Sequence, residues 1–272
     1  MIKCIVCDLD ETLLNEHKEI STENIEMIHK VSKDGIKFVF ATGRGFTSVQ
    51  DYLNILDLNK LGEYVISNNG AIVTENKDNE ILHIHSLKWD LVEYLIKFGL
   101  AHNLCVQVFL PEDVYAFNCG EDEIDVLLGF KKDAVLVEGF DYSFLKGETI
   151  VKVMYQYRDY SYLPTLEDKL DDLIKENTTI AYSSNRYMEY TSKGISKAKG
   201  ILSLCEILNI ELDEVLAIGD NLNDYAMLEL VPNSAAVANA VDEVKRICKY
   251  VSPYTNNESA VADIIKQFIE EK

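Results

Sequence analysis

Short apolar runs alternate with amphipathic stretches at the start of this chain, and few folds accommodate such a pattern. Apolar runs at 3–7, 37–41 and 63–67 flank amphipathic stretches at 21–34 and 46–56. Runs of this length predict buried strands, and apolar residues that recur every three or four positions predict helices. A strand–helix–strand order predicts a parallel sheet with helices on its faces.

The same alternation returns near the C-terminus. Predicted helices at 195–208, 221–230 and 259–269 accompany predicted strands at 214–219 and 235–238. Both ends of the chain therefore predict one α/β domain, built as a doubly wound parallel sheet of the Rossmann-like type.

The middle of the chain has a different pattern. Between residues 83 and 188, aromatic residues are frequent and strand-like runs follow one another closely, with helical patterns at 88–101 and 162–176. This pattern predicts an inserted α+β domain at 83–188, and a core domain made of 1–82 and 189–272.

The charge of the chain limits its partners. It has 46 acidic and 26 basic residues, a formal net charge of -20 at pH 7. Such a surface repels phosphate backbones and anionic membranes, so we expect neither nucleic acid nor a membrane as a partner. No apolar run is long enough to span a bilayer. Six cysteines without a dense framework predict reduced thiols and a cytoplasmic location.

Polar residues follow three of the predicted strands, at the carboxyl ends where open α/β sheets bind ligands. A lysine also opens one of the predicted helices. These residues are Asp8 and Asp10 after the first strand, Thr42, Gly43 and Arg44 after the second, Asp220 and Asp224 after the strand at 214–219, and Lys197 in the helix.

The three acids Asp8, Asp220 and Asp224 offer hard oxygen ligands, a set that suits Mg²⁺. A carboxylate beside a metal-bound phosphate can act as a nucleophile, which fits Asp8. Asp10, two residues further on, can serve as general acid and base. The residue types therefore predict phosphoryl transfer.

The remaining polar residues fit the same chemistry. Thr42 offers a hydroxyl group, and Gly43 offers a backbone N–H that can approach an oxyanion closely. Lys197 adds a positive charge that can neutralise the transferring group. Each motif alone also fits turn chemistry or a helix cap. Their joint occurrence at strand ends favours the site.

Several stretches of the chain resemble the haloacid dehalogenase superfamily, and within it the Cof-type phosphatases of subclass IIB with a C2 cap. They are "DLDETLL", "ATGR", "SNNGA", "GISKAKGI", "GDNLNDYAML", "AAVANAVDEVK" and "YVSPYTNNESAVA", and they extend over the whole chain. The combination is specific for the family but not for a substrate.

The resemblance implies roles for the acidic residues. Asp8 would be the nucleophile that forms an aspartyl-phosphate, and would also bind Mg²⁺. Asp10 would protonate the leaving oxygen and then activate water, while its backbone carbonyl binds the metal. Asp220 would bind Mg²⁺ directly, and Asp224 would support the metal shell.

The resemblance also implies roles for the residues that bind phosphate or substrate. Thr42, Gly43 and Asn223 would contact the phosphate, and Lys197 would steady both Asp8 and the phosphate. Asn69 would fix the substrate or the phosphate, and Arg44 would lie near the substrate. Three positions depart from the family pattern: Glu11 stands where glycine is usual, Ala198 follows Lys197 in place of glycine, and the tail reads Glu258-Ser259-Ala260-Val261. If position 11 needs a left-handed backbone, glutamate strains it.

These observations predict a Mg²⁺-dependent phosphatase that hydrolyses small phosphomonoesters, sugar phosphates being the first expectation. Its partner would be a small phosphorylated metabolite, and it would be a monomer or a homodimer. A phosphomutase or phosphotransferase of the same fold is an open alternative, as is a non-catalytic regulatory protein that binds a phosphosugar. A signalling receiver domain fits less well, because it needs about half this length and an adjacent acidic pair.

Overall fold

A computed structural model describes residues 1–131, 134–183 and 185–269. The chain forms two compact units. The first consists of Met1–His83 together with the chain from Ser196 onward, and the second of Ile84–Ile195. The second unit extends past the predicted insertion at 83–188, because the strand Tyr187–Ser192 belongs as a whole to the sheet of this unit.

Strands and helices are numbered here in chain order. The strands are β1 (Cys4–Cys7), β2 (Lys37–Ala41), β3 (Tyr64–Ser67), β4 (Ile72–Glu75), β5 (Glu80–Ile84), β6 (Cys105–Phe109), β7 (Val114–Phe117), β8 (Val135–Val137), β9 (Lys152–Gln156), β10 (Thr178–Ser183), β11 (Tyr187–Ser192), β12 (Val215–Gly219), β13 (Asn233–Ala236) and β14 (Tyr250–Val251). The α-helices are α1 (Thr22–Lys33), α2 (Gln50–Ile55), α3 (Trp89–Ala101), α4 (Glu121–Phe130), α5 (Asp172–Asn177), α6 (Lys197–Leu208), α7 (Tyr225–Leu230), α8 (Asp242–Ile247) and α9 (Ala260–Ile269).

The first unit contains an eight-stranded sheet in the order β14-β13-β12-β1-β2-β3-β4-β5. The strands from β14 to β3 are parallel, which confirms the predicted α/β class. Strand β4 instead runs antiparallel to β3. The turn Asn68–Gly70 joins these two strands, and so short a connection allows only an antiparallel pair.

The central strand β1 sets the position of the polar residues that follow the strands. All four of its residues are fully buried, as expected for a parallel strand covered on both faces. Cys7 pairs with Phe40 of β2 and with Ile218 of β12. Because these three residues are level in the sheet, the residues that follow them emerge at one edge.

Helices cover the sheet as their apolar patterns predict. Helix α1 begins after Ser21, whose hydroxyl oxygen accepts a hydrogen bond from the backbone N–H of Asn24. Helix α9 buries the apolar face predicted for it, which consists of Val261, Ile264, Ile265 and Phe268. The two helices pack against each other.

The second unit contains a six-stranded sheet in the order β10-β11-β9-β6-β7-β8. All pairs with a described register are antiparallel except β7 with β8. One face of this sheet carries a buried apolar cluster that includes Val106, Val153 and Tyr190. Tyr155 also belongs to the cluster, and its hydroxyl donates a hydrogen bond to the carbonyl oxygen of Leu95 in α3.

The prediction of one helix at 162–176 is wrong. The structure has a short 3-10 helix at Pro164–Lys169, followed by the separate helix α5. Proline lacks an N–H and restricts the residue before it, which interrupts a regular helix. Asp171 then starts α5, because its carboxylate accepts a hydrogen bond from the N–H of Leu173.

The prediction that all six cysteines are reduced is also wrong for one pair. Cys105 at the start of β6 and Cys119 just after β7 form a disulfide, because the antiparallel pairing of these strands brings them together. Disulfides are rare in cytosolic proteins, so this pair removes the cysteine argument for a cytoplasmic location, which stays a prediction. Among the described residues, the helices are all too short or too polar to cross a bilayer.

Candidate active site

A buried lysine joins two of the strand-end acids in the first unit. Asp8 directly follows β1 and is 6% exposed, and Lys197 is fully buried. The Lys197 ammonium contacts a carboxylate oxygen of Asp8 and lies 2.5 Å from Oδ1 of Asp224. The structure therefore brings together three predicted residues that are far apart in sequence.

Two glycines allow α6 to place Lys197 at this point. Gly70 has a φ of +94°, and a Cβ there would lie 2.0 Å from the carbonyl oxygen of Ser196. A Cβ at Gly200, one turn into α6, would lie 2.3 Å from Ile66 of β3. The start of the helix can pack closely on β3 and on the turn after it only because both side chains are absent.

The loop after β12 is held by its own last residue. The Asp224 Oδ2 atom accepts hydrogen bonds from the backbone N–H groups of Asp220 (3.0 Å) and Asn221 (3.1 Å). A Cβ at Gly219 would lie 2.7 Å from the Cβ of Asp224, so glycine leaves the space for that side chain. Asp220 also accepts a hydrogen bond from the hydroxyl of Thr12, at 2.7 Å.

The three carboxylates form a buried acidic cluster. Asp8, Asp220 and Asp224 each place an oxygen within 4.8 Å of the others. Burial and the charge of Asp224 raise the pKa of Asp8 well above its usual range, against the opposing effect of Lys197. The same two causes raise the pKa of Asp220 to about 6. Burial favours the neutral form of Lys197, but Asp224 and Asp8 outweigh it and raise the pKa of the lysine.

The donor set fits a hard divalent cation. Lys197 carries one positive charge against three carboxylates, so a cation would complete the charge balance. Both oxygens of Asp224 already accept hydrogen bonds, one from Lys197 and the other from two backbone N–H groups. Asp8 and Asp220 are the two acids best placed to offer an oxygen to a metal.

Thr42, Gly43 and Asn69 form a second part of the site. Thr42 is 1% exposed, and its hydroxyl oxygen accepts a hydrogen bond from the backbone N–H of Arg44, at 3.1 Å. The backbone N–H of Asn69 donates to the carbonyl oxygen of Thr42, at 2.9 Å. A Cβ at Gly43 would lie 3.2 Å from Oδ1 of Asn69, an oxygen that is buried and has no hydrogen-bond partner. These three residues are thus adjacent.

Two positively charged side chains, Arg44 and Lys18, bind the carboxylate of Asp10. Arg44 donates to both of its carboxylate oxygens, with Nε–Oδ2 at 2.8 Å and Nη2–Oδ1 at 2.7 Å. Lys18 donates a third hydrogen bond, with Nζ–Oδ1 at 3.0 Å. Burial favours the neutral carboxyl group, but Arg44 and Lys18 outweigh it and lower the pKa of Asp10.

Sequence reasoning missed two residues of the site, Thr12 and Lys18, and one predicted residue, Asn223, is exposed. Thr12 stood inside the quoted "DLDETLL" stretch, so its hydroxyl was a signal that could have been used. Lys18 gave no signal, because only the folded chain brings it to Asp10. Asn223 lies in the exposed turn before Asp224. Within the described part of the chain, it takes no part in the hydrogen bonds given above.

Glu11 has the left-handed backbone conformation that strains residues other than glycine. Its φ is +60°, in the left-handed region. Its carbonyl oxygen accepts a hydrogen bond from the side chain of Asn239, at 2.8 Å, which helps to hold this conformation. The turn at Leu9–Leu13 therefore keeps its shape at the cost of local backbone strain.

Comparison with known proteins decides the family. The family model described as haloacid dehalogenase-like hydrolase matches residues 5–265. The chain belongs to this family. YxeH of Bacillus subtilis (strain 168) is 31% identical to it over 269 residues, which cover 99% of each chain.

Further relatives cover the chain just as fully. The 5-amino-6-(5-phospho-D-ribitylamino)uracil phosphatase YitU of Bacillus subtilis (strain 168) is 27% identical over 274 residues, 97% of this chain and 96% of its own. A crystal structure of a haloacid dehalogenase-like hydrolase from Bacteroides thetaiotaomicron has a TM-score of 0.87 at 28% identity, and covers 99% of this chain and 100% of its own. The chain is thus a haloacid dehalogenase-like hydrolase with phosphatases among its relatives.

Proposed function

We propose that this protein is a Mg²⁺-dependent phosphatase that acts on small phosphomonoesters, with sugar phosphates and related metabolites as its substrates. The observation that carries the proposal is the contact of buried Lys197 with both Asp8 and Asp224, at the carboxyl end of the central strand. A carboxylate held beside a fixed ammonium group, with a neighbouring oxyanion site, is the equipment of phosphoryl transfer.

In the first step, an Asp8 oxygen attacks phosphorus while the bond between phosphorus and the leaving oxygen breaks. This forms an aspartyl-phosphate, and a proton from Asp10 goes to the departing alkoxide. Because Arg44 and Lys18 favour the ionised carboxylate, Asp10 must first take up this proton from the substrate phosphate or from water. In the second step, Asp10 takes a proton from water as the water oxygen attacks the phosphorus. The bond between the Asp8 oxygen and phosphorus breaks, inorganic phosphate leaves, Asp8 returns to its carboxylate form and Asp10 holds a proton again.

The other site residues would hold the phosphate oxygens. Thr42 would donate its hydroxyl and Gly43 its backbone N–H, and Lys197 would neutralise charge on the group in transfer. The buried Asn69 carries an amide beside Gly43, where it can reach the phosphate or the substrate. Asn223, in its exposed turn, would add a phosphate contact.

Mg²⁺ would be held by Asp8 and Asp220 and by the backbone carbonyl of Asp10, with Asp224 as their support. When bound, it supplies positive charge that offsets the carboxylates and the phosphate. Substrate preference would come from Arg44 and from residues 83–188, the predicted insertion. YitU, a relative, is named for a phosphorylated ribityl compound, which supports a phosphorylated metabolite as the substrate class.

The test is phosphate release from a panel of sugar phosphates and related metabolites by purified protein with Mg²⁺. Asp8→Asn should abolish phosphate release, because an amide nitrogen replaces one carboxylate oxygen and the side chain loses its nucleophilic charge. It should keep the circular dichroism spectrum, because the side chain has the same shape. EDTA should remove activity and Mg²⁺ should restore it. Robust hydrolysis by Asp8→Asn would refute the assignment of Asp8 as the nucleophile. An isomerised sugar phosphate in place of released phosphate would indicate a mutase.

A further inference from the structure

Lys18 lies in a short hairpin that leads its side chain back to Asp10. The hairpin is closed by a bridge between Leu14 and Ile20. Within it, the Asn15 side chain accepts hydrogen bonds from the backbone N–H groups of His17 and Glu19, both at 2.9 Å. The loop is therefore fixed by its own hydrogen bonds.

The backbone of Lys18 adopts an unfavourable conformation. Its φ is +60°, in the left-handed region that a side chain with a Cβ disfavours. Its backbone N–H donates to the carbonyl oxygen of Asn15, at 3.0 Å. Strained backbone of this kind persists where the surroundings hold it, and it is concentrated at functional sites.

Tyr52 of α2 connects Lys18 to Arg44. Its hydroxyl donates to the carbonyl oxygen of Lys18 at 3.1 Å, and the guanidinium carbon of Arg44 lies 5.6 Å from the centre of its ring. Both cations donate to the same oxygen of Asp10, and Arg44 also donates to the other. The carboxylate is thus fixed from two loops that share one tyrosine.

We propose that Lys18 is a positioning residue for Asp10, and that Tyr52 supports it by holding the Lys18 loop. With Lys18 present, the Asp10 carboxylate is held by three hydrogen bonds from two side chains. Without it, Arg44 alone binds the carboxylate and the group can turn with the guanidinium. A misplaced acid delivers its proton less well to the leaving oxygen. This inference rests on the proposed function, in which Asp10 is the general acid.

The test compares two substrates whose leaving groups differ in their need for a proton. An alkyl phosphate needs proton delivery as its alcohol departs, whereas p-nitrophenyl phosphate releases an anion that is stable in water. The parameter is kcat/KM, which reports only the steps up to release of the alcohol or phenol. The variants are Lys18→Met, Lys18→Arg and Tyr52→Phe, each assayed with Mg²⁺.

Lys18→Met should lower kcat/KM about fivefold for the alkyl phosphate and less than about twofold for p-nitrophenyl phosphate. Lys18→Arg should recover most of the loss, because arginine can still donate to Asp10. Tyr52→Phe should show the same preference for the aryl substrate to a smaller degree. A merely structural role of Lys18 would lower both rates together.

Lys60→Met is the matched control. Lys60 is 47% exposed and its ammonium lies 2.8 Å from Asp57, whereas the side chain of Lys18 is 51% exposed. Asp57 also has a left-handed backbone, with a φ of +53°. The control should match the wild type with both substrates, and the thermal unfolding midpoints of Lys18→Met and Lys60→Met should agree within about 3 °C.

Equal losses with both substrates, no loss with either, or a gain with the alkyl phosphate would each overturn the role of Lys18. A gain would mean that the lysine only holds Asp10 ionised. If the wild type and Lys60→Met themselves release no phosphate from any substrate, the proposed function fails, and the role of Lys18 fails with it. Active wild type beside unaltered Lys18→Met would reject the role of Lys18 alone.

Discussion

Replacement of Lys197 by methionine tests the electrostatic balance of the site without any substrate. Lys197 is fully buried, contacts Asp8, and lies 2.5 Å from Asp224. Methionine has a similar length but leaves Asp8, Asp220 and Asp224 without their cation. Removal of one partner from a buried ion pair costs about 3–5 kcal/mol. Because one ammonium serves two carboxylates here, we expect Lys197→Met to lower the free energy of unfolding by about 4 kcal/mol near pH 7.5 in EDTA.

This loss should depend on pH, because protons can replace the missing cation. Burial raises the pKa of Asp220 to about 6 and that of Asp8 well above its usual range, and Lys197 opposes both shifts. An acid whose pKa is raised in the folded state stabilises the protein below its unfolded pKa, and this stability is lost as pH rises through the folded pKa. The penalty of Lys197→Met should therefore be small near about pH 4 and grow toward about pH 8.

The assay is urea unfolding in EDTA, followed by circular dichroism and by tryptophan fluorescence. Trp89 is the single tryptophan and lies in the second unit, so its fluorescence reports a unit without the substitution. Lys199→Met is the control, because Lys199 is exposed on the same helix. A free energy of unfolding for Lys197→Met within about 1 kcal/mol of the control near pH 7.5, or a loss independent of pH, would refute the reasoning.

Two further predictions concern single side chains of the same unit. Glu11→Gly should raise the free energy of unfolding by about 0.5–1 kcal/mol, because glycine adopts the left-handed backbone at φ +60° without strain. Urea unfolding measures it, and an unchanged or lower value would contradict it. Asp220→Asn in EDTA should be more stable than the wild type by about 2–3 kcal/mol near pH 7.5 but not near pH 4, because it removes the charge of an acid whose folded pKa is about 6. Mg²⁺ should then raise the thermal midpoint of the wild type more than that of Asp220→Asn, and equal shifts would exclude Asp220 as a ligand.

Local patterns were sufficient for most of the first unit. The apolar run at 37–41 matches β2 residue for residue, and the apolar face of α9 is buried as expected. Both follow from periodicity, which neighbouring residues set. The single helix predicted at 162–176 does not form, because Pro164 lacks the N–H that a continuous helix needs. The strand β4 was not predicted, and the tight turn at Asn68–Gly70 makes it run antiparallel to β3.

The candidate site divides in the same way. Asp8, Thr42 and Asp220 were expected at one edge, because the carboxyl ends of parallel strands meet there, and the register of Cys7 with Phe40 and Ile218 places them there. No local pattern linked Asp10 to Arg44 and Lys18, or Cys105 to Cys119, since those contacts depend on which loops and strands become neighbours.

The sequence by itself determined the α/β class, the family and the residue types of the site, because strand and helix periods and short motifs are local properties of the chain. Tertiary structure decided which charges meet. Lys197 is buried between Asp8 and Asp224 because Gly70 and Gly200 permit close packing of its helix. The side chains of Arg44 and Lys18 both bind Asp10, and the contact of Lys18 depends on the hairpin that carries it. The strength of a charge interaction depends on distance and burial, and only the folded chain fixes these two quantities.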